Sequence, residues 1–262
     1  MPTNEDPAHT PDALYHAAQR GLTAMPDSAR NMMIEGTKRF MGTIVEYKDL
    51  MMMYSCAIRE IETKFEILNT EFRVRYHRNP ISSISTRLKS TKSIAEKLAR
   101  QNLPPTPDNI EAHIHDIAGV RIICSYIDDI YLIAAALLKQ DDIVLITEKD
   151  YIAHPKENGY RSLHLIVEVP VFFADHKRNM KVEVQIRTIA MDFWASLEHQ
   201  MKYKQAIPNE AEISAELREC ADTIRETDER MLAIRKKIEA AADVPTEDEI
   251  LFDKISRLDV KI

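Results

Sequence analysis

Two stretches constrain this chain most: His154-Pro-Lys-Glu-Asn-Gly-Tyr-Arg-Ser-Leu-His164 and Val182-Glu-Val-Gln-Ile-Arg-Thr188. In the second, Val182, Val184 and Ile186 alternate with Glu183, Gln185 and Arg187. That period of two belongs to a β-strand with one apolar face packed on a core and one polar face. In the first, Asn158-Gly159 is a turn signal. Leu163, Leu165 and Val167 then alternate with Ser162, His164 and Ile166. An acid, an amide and a guanidinium in a row are more varied than a solvated face usually carries. The two strands therefore predict a cleft built over a sheet.

The rest of the chain supplies that sheet and its cover. Further strands are expected at Gly119 to Tyr126 and Ile143 to Lys149, with a helix at Asp128 to Lys139 between them. Arg73 to Leu88, broken by Asn79-Pro80, predicts one or two short extended pieces. A helix follows over Thr91 to Asn102, with Ser93 and Glu96 in capping-box relation, and Pro104, Pro105 and Pro107 form a connector. Another helix runs from Ile189 to about Lys204. Apolar residues recur at helical spacing from Ser28 to Leu68 and again from Glu210 to about Ala241, giving two long amphipathic helices. The expected fold class is α+β: a mixed sheet of about five strands flanked by helices, with long N- and C-terminal helices. The expected units are a mobile tail over 1–27, a helical segment over 28–70, a catalytic domain over 71–206 and a helical segment over 207–262. The two flanking helices either cover the sheet or provide subunit contacts, and a homo-oligomer is expected.

Composition excludes several classes. The apolar run Ile130 to Leu138 is too short to span a bilayer, and the polar, acidic start from Met1 to Asp12 does not read as a signal peptide. Cys56, Cys124 and Cys220 form no C-x-x-C pair and read as buried thiols in a reducing cytosol, so a cytoplasmic location is expected. There is no P-loop, G-x-G-x-x-G, G-x-S-x-G or H-E-x-x-H. The net charge of −7 argues against general nucleic-acid affinity. Yet between Glu71 and Arg100 eight basic residues face two acids, a local net of +6, which would focus a field on an anionic ligand.

Within that segment Lys89, Ser93, Lys97 and Arg100 share one stripe if helicity begins near Lys89, and Arg87 sits just before it. Aligned like charges repel unless an anion bridges them, and a polyphosphate suits Arg forks and Lys point charges. Phosphates bound for reaction usually need Mg²⁺ on one or two carboxylates. Asp116, just ahead of a strand, and Glu183, on the polar face of another, could share it; either alone could equally be a salt-bridge partner. His115 beside Asp116 lacks the further His and Asp ligands of a phosphohydrolase, so His113 and His115 read as structural. Tyr160, beside a tight turn, either stacks on a base or is half-buried packing.

Lys156-x-Asn-Gly-Tyr-Arg-Ser-Leu-His164, Val182-Glu-Val-Gln-Ile-Arg-Thr188, Asp116-Ile-Ala-Gly-Val-Arg121 and Phe193-Trp-Ala-x-x-Glu-His199 closely resemble the RelA/SpoT-type synthetase family, in order from about Pro80 to Tyr203. The size of the chain resembles that of the small alarmone synthetases, with a synthetase domain and no hydrolase domain. The resemblance implies a nucleotidyltransferase-like synthetase fold. It also implies transfer of pyrophosphate from ATP to the 3′-hydroxyl of GDP or GTP, giving ppGpp or pppGpp and AMP. Residue by residue, it implies ATP contacts at Arg87, Lys89, Ser93, Lys97, Arg100 and Arg121. Asp116 and Glu183 match the Mg²⁺ ligands, with Glu183 also the base for the 3′-hydroxyl. Tyr160 matches a guanine-stacking residue, and Lys156, Asn158, His164, Gln185 and Arg187 match acceptor and phosphate contacts.

Thr86 departs from the family, where glycine commonly precedes the Arg of Gly-Arg-x-Lys. The change bears on the allosteric alarmone site that some small synthetases have nearby more than on catalysis. Family members of this size are often tetramers. Two rivals stay open. One is a toxic relative using the same site on adenine nucleotides or the 3′ end of tRNA. The other is a non-catalytic module that senses alarmone or binds RNA, against which both carboxylates speak. Single-stranded RNA stays open as a second ligand of the +6 segment.

Overall fold

A computed structural model describes residues 27–202 and 210–242. The expected mobile tail, apart from Asp27, lies outside the described residues, as do positions 203 and 204 of the helix expected after Ile189. In chain order the elements are α1 (Asp27–Tyr76), β1 (Ile81–Leu88), α2 (Thr91–Arg100), α3 (Pro107–His113), β2 (Ala118–Cys124), α4 (Ile127–Leu138), β3 (Val144–Asp150), β4 (Leu163–Phe172), β5 (Lys177–Thr188), α5 (Ile189–Lys202) and α6 (Glu210–Ala242). The five strands form one mixed sheet in the order β1-β2-β5-β4-β3. Only β2 and β5 run parallel; the other three pairings are antiparallel. The α+β class, the five strands and both long helices stand as expected.

The period-two pattern decides which face of the sheet is buried. Val182, Val184 and Ile186 on β5 and Leu163, Leu165, Val167 and Val169 on β4 are buried. Their apolar face is covered by α1, whose Tyr54, Ala57, Ile58, Ile61, Phe65 and Leu68 form a buried stripe, and by α4 through Ile130, Ile133 and Leu137. Such a stripe is what holds a helix to a sheet, since every one of its residues leaves water on docking. At 1.5 Å per residue the 50-residue α1 is roughly 75 Å long. Five strands span only about 20 Å. The helix overhangs the sheet, and Met32, Met41 and Val45 on its free part are exposed.

Local expectations needed correction at five places. Arg73 to Tyr76 is the last turn of α1, not an extended piece; His77 then takes a left-handed φ of 49° and Asn79-Pro80 separates it from β1. The cap of α2 is Ser90, whose side chain accepts from Ser93 N at 3.3 Å, while Glu96 pairs with Lys92. Lys89 therefore precedes the helix instead of starting its stripe. The proline connector contains the short helix α3, for Thr106 caps it and Pro107 sits in its first turn, where no N–H is needed. Cys220 is exposed, whereas Cys124 is buried and Cys56 intermediate.

The C-terminal helix closes one end of the sheet. Trp194 and Ala195 of α5 pack on Leu217 and Ala221 of α6, and Trp194 Nε1 donates to the Leu217 carbonyl at 2.9 Å. Thr188, at the end of β5, donates to Asp228 of α6 at 2.6 Å and accepts from Met191 N at 3.1 Å. Gly159 meets α6 most closely. Its φ is +87°, and a Cβ there would lie 2.5 Å from Ala221 Cβ. Only glycine satisfies both conditions.

Candidate active site

The uncovered face of the sheet carries the polar residues in two rows fixed by strand register. Arg87, Gly119, Glu183, Ile166 and Thr147 form one row; Ser85, Arg121, Gln185, His164 and Lys149 form the next. Gly119 matters here for space. A Cβ would stand 3.2 Å from Arg87 Cγ, so its absence lets the Arg87 side chain lie across β2 toward Glu183.

Two cationic compartments open over these rows. One, of about 350 Å³, is lined by Lys97, Asp116, Lys149, Tyr151, Lys156, His164 and Glu183, with His113 and His115 at its side. The other, of about 420 Å³, is lined by Arg87, Arg121, Arg187, Tyr160 and Gln185 together with Glu198 and His199 of α5. A smaller hollow of about 230 Å³ under Arg87, Gly119 and Arg121 reaches Glu183 as well. Glu183 thus lines the first compartment and this hollow, which shares Arg87, Arg121 and Gln185 with the second.

The carboxylates are held ionised. Burial opposes charge on Asp116, but Lys89 and Lys97, each donating to one of its oxygens at 2.8 Å, outweigh it and keep the carboxyl below its ordinary value. Burial opposes charge on Glu183 too, and Asp116 adds repulsion. His164, with Nδ1 3.4 Å from Oε1, and Gln185, donating to Oε2 at 2.9 Å, nonetheless keep it low. On the arginine side, burial and then the like charges of Arg187 and Arg87 pull the Arg121 guanidinium below its ordinary value, against the pull of Asp192. Arg121 Nε is buried with no hydrogen-bond partner, a donor suited to a phosphate oxygen.

Among the described residues no group of three or more His, Cys, Asp or Glu could hold a metal. A closed protein cage is therefore not the fit. Two carboxylates sharing one compartment suit Mg²⁺, which is commonly held by one or two carboxylates plus substrate phosphates.

The structure brings together Arg87, Lys97, Asp116, Arg121, Lys156, Tyr160, His164, Glu183, Gln185 and Arg187 around these compartments. Lys89 joins them through Asp116. Ser93, hydrogen-bonded to Ser90 Oγ at 3.0 Å, and Arg100, whose Nε donates to the Glu96 carbonyl at 3.3 Å, line neither. Asn158 is the turn former: its Oδ1 accepts from Tyr160 N at 3.2 Å and its Nδ2 donates to Glu198 at 3.1 Å. Tyr160 is half-buried, with its hydroxyl held by Arg187 and His164 and the Lys156 ammonium 4.8 Å from its ring centre. Lining residues that escaped sequence reasoning include Thr147, Lys149 and Tyr151 in the first compartment and Glu198 and His199 in the second. Thr147, Lys149 and Tyr151 lie at alternate positions, a period-two signal that was available. Asp192, which braces Arg121 at 3.4 Å and Arg187 at 3.2 Å, left none, because only the β5–α5 junction brings it there.

Comparison with known proteins agrees with this geometry. Residues 86–208 match the model of the region found in RelA / SpoT proteins. The GTP pyrophosphokinase YwaC of Bacillus subtilis (strain 168) is 44% identical over 198 residues, covering 75% of this chain and 94% of the relative. Among solved structures, small alarmone synthetase 2 of Bacillus subtilis superposes with a TM-score of 0.66 at 45% identity, over 73% of this chain and 99% of that one. Small alarmone synthetase 1 of the same organism, bound to its product pppGpp, gives 0.64 at 34%, over 71% and 94%.

Proposed function

Because the chain belongs to the RelA/SpoT family, with a GTP pyrophosphokinase as a relative over three quarters of its length, we propose that it is an alarmone synthetase. It transfers pyrophosphate from ATP to the 3′-hydroxyl of GDP or GTP, giving ppGpp or pppGpp and AMP. The observation that carries this reading is the position of Glu183, an ionised carboxylate that lines both the first cationic compartment and the hollow shared with the arginine side. A group passing between two anionic ligands must cross there.

In this reading the adenosine end of ATP lies toward Arg87 and Arg121, and its phosphates run past Glu183 to Lys97 and Lys89. Ser93 and Arg100 act from the flank. The guanosine nucleotide lies toward Lys156 and His164; Tyr160, on the border of the arginine side with its ring next to Lys156, stacks on guanine, and Asn158 holds the turn that carries it. Gln185 and Arg187 brace the boundary. Glu183 takes the proton of the 3′-hydroxyl. The 3′-oxygen bonds to the β-phosphorus, and the bond from that phosphorus to the oxygen bridging to the α-phosphorus breaks, so AMP leaves with the bridging oxygen. Asp116 and Glu183 hold Mg²⁺, which when bound offsets charge on the phosphate oxygens. Positioning and charge stabilisation, not covalent chemistry, then supply the rate.

The toxic-relative reading is not favoured, since the relative is a GTP pyrophosphokinase and the solved neighbour carries pppGpp. The test uses ATP labelled at the β-phosphate, with Mg²⁺ and GDP, GTP, ATP or deacylated tRNA as acceptor. Label moving to a guanosine nucleotide with release of AMP is expected. Label on tRNA or an adenine nucleotide alone overturns the acceptor assignment. A cytoplasmic homotetramer completes the proposal, supported by the overhang of α1 and its exposed apolar residues.

A further inference from the structure

A closed circuit of polar contacts surrounds Glu183. Arg187 Nη2 donates to the Tyr160 hydroxyl at 2.5 Å and to Gln185 Oε1 at 3.1 Å. From there two branches run to the same carboxylate. Gln185 Nε2 donates to Glu183 Oε2 at 2.9 Å. On the other side the Tyr160 hydroxyl meets His164 Nε2 at 2.8 Å, and His164 Nδ1 lies 3.4 Å from Glu183 Oε1. The ends set the direction of both branches. A guanidinium only donates and a carboxylate only accepts. The Tyr160 oxygen accepts from Arg187; with the one hydrogen of His164 on Nδ1, toward Glu183, its Nε2 is the acceptor of the Tyr160 hydrogen.

We propose that Tyr160 and His164 form a positioning pair for Glu183, in which the Tyr160 hydroxyl, not only its ring, orients the base through the imidazole. This rests on the reading of Glu183 as the base. A carboxylate free to turn about its last torsion presents its lone pairs in many directions; one tied at both oxygens presents them in one. Holding a reacting group in attack geometry is among the larger contributions to rate, and loss of it is felt in turnover more than in binding. The pair also spans the two compartments. Tyr160 lines the arginine side and His164 the other.

Tyr160→Phe tests this, since it keeps the aromatic face and removes the hydroxyl. The expected result is a fall in kcat of about tenfold, the size of a lost orienting hydrogen bond, with KM for GTP within about twofold of wild type. GTP affinity measured by calorimetry in EDTA should be unchanged. His164→Leu should lower kcat at least as far, and adding Tyr160→Phe to it should cost nothing more, because the circuit is already cut. His164→Asn, which retains a donor near the Nδ1 position, should recover part of the loss. Unchanged kcat in Tyr160→Phe, or losses that multiply in the double variant, would overturn the pair. Independently of activity, a long-range ¹H–¹⁵N correlation spectrum should find His164 protonated at Nδ1 in the wild type, with Nε2 shifting in Tyr160→Phe. Hydrogen on Nε2 alone in the wild type sinks the proposal. Failure of the wild type to label a guanosine nucleotide would instead count against the acceptor, and leave the tautomer result to judge the pair.

Discussion

Glu183 carries the sharpest expectations at the scale of single residues. Its replacement by Gln preserves the shape and the bond to Gln185 but removes the charge and the proton acceptor. Synthesis should drop by about 10²–10⁴-fold, the usual reach of a general base, with the melting temperature close to wild type. Near-normal turnover in that variant would sink the base and metal assignments together. The pH profile has a definite sign. Asp116 and Glu183 are both held below their ordinary values, so the active, ionised forms persist as pH falls past the ordinary carboxylate range. The acid limb of kcat/KM against pH, which reports the free enzyme, should then lie below that range; a limb near neutrality would point to a different ionisation. Much of this site could be read in the sequence, because β5 writes Glu183, Gln185 and Arg187 at alternate positions. What could not be read is Arg87 lying over Gly119 and lining the same hollow as Glu183. That depends on the register of β1 on β2, a long-range pairing that no local pattern encodes.

Elements bring the next set of constraints, above all where α6 meets the Asn158-Gly159 turn. Gly159→Ala imposes both a left-handed strain and an overlap with Ala221. A cost of about 1–3 kcal/mol is expected, and for a chain of this size each kcal/mol lowers Tm by roughly 2–4 °C. Restoring room with Ala221→Gly should recover part of the loss. Calorimetric melts of the single and double variants decide it, and full tolerance of Gly159→Ala would mean α6 does not dock there in solution. The turn itself was legible as Asn-Gly, whereas its dependence on a helix sixty positions later was not. The same limit explains the misplaced cap of α2. Ser93 and Glu96 satisfy the capping-box spacing, whereas Ser90, followed three positions on by Ser93, does not; Ser90 is still the cap, with Lys89 N next to it bonded to the Ile117 carbonyl at 2.8 Å.

For the whole molecule, the unmatched lengths of α1 and the sheet are decisive. The free part of α1 exposes Met41 and Val45, while its sheet-bound part exposes Ile67 and Val74 on the outer side. Paired substitution Met41→Glu and Val45→Glu should convert the proposed tetramer to a 30.1 kDa species in light scattering, leaving the sheet fold intact by circular dichroism. A wild type already at that mass would remove the tetramer from consideration.

The clasp of α6 over Gly159 also sets an order of events during synthesis of the chain. Every residue of the two polar rows, from Ser85 to Gln185, is made before the first residue of α6. The wall behind Tyr160, by contrast, is built from Leu217 and Ala221. On the ribosome the strands that carry the floor of the cleft therefore emerge ahead of its end wall. A chain halted or cut short before α6 emerges therefore displays the basic side chains and both carboxylates without the packing that fixes Tyr160. Translation itself withholds the finished site until the C-terminal helix has been released to fold.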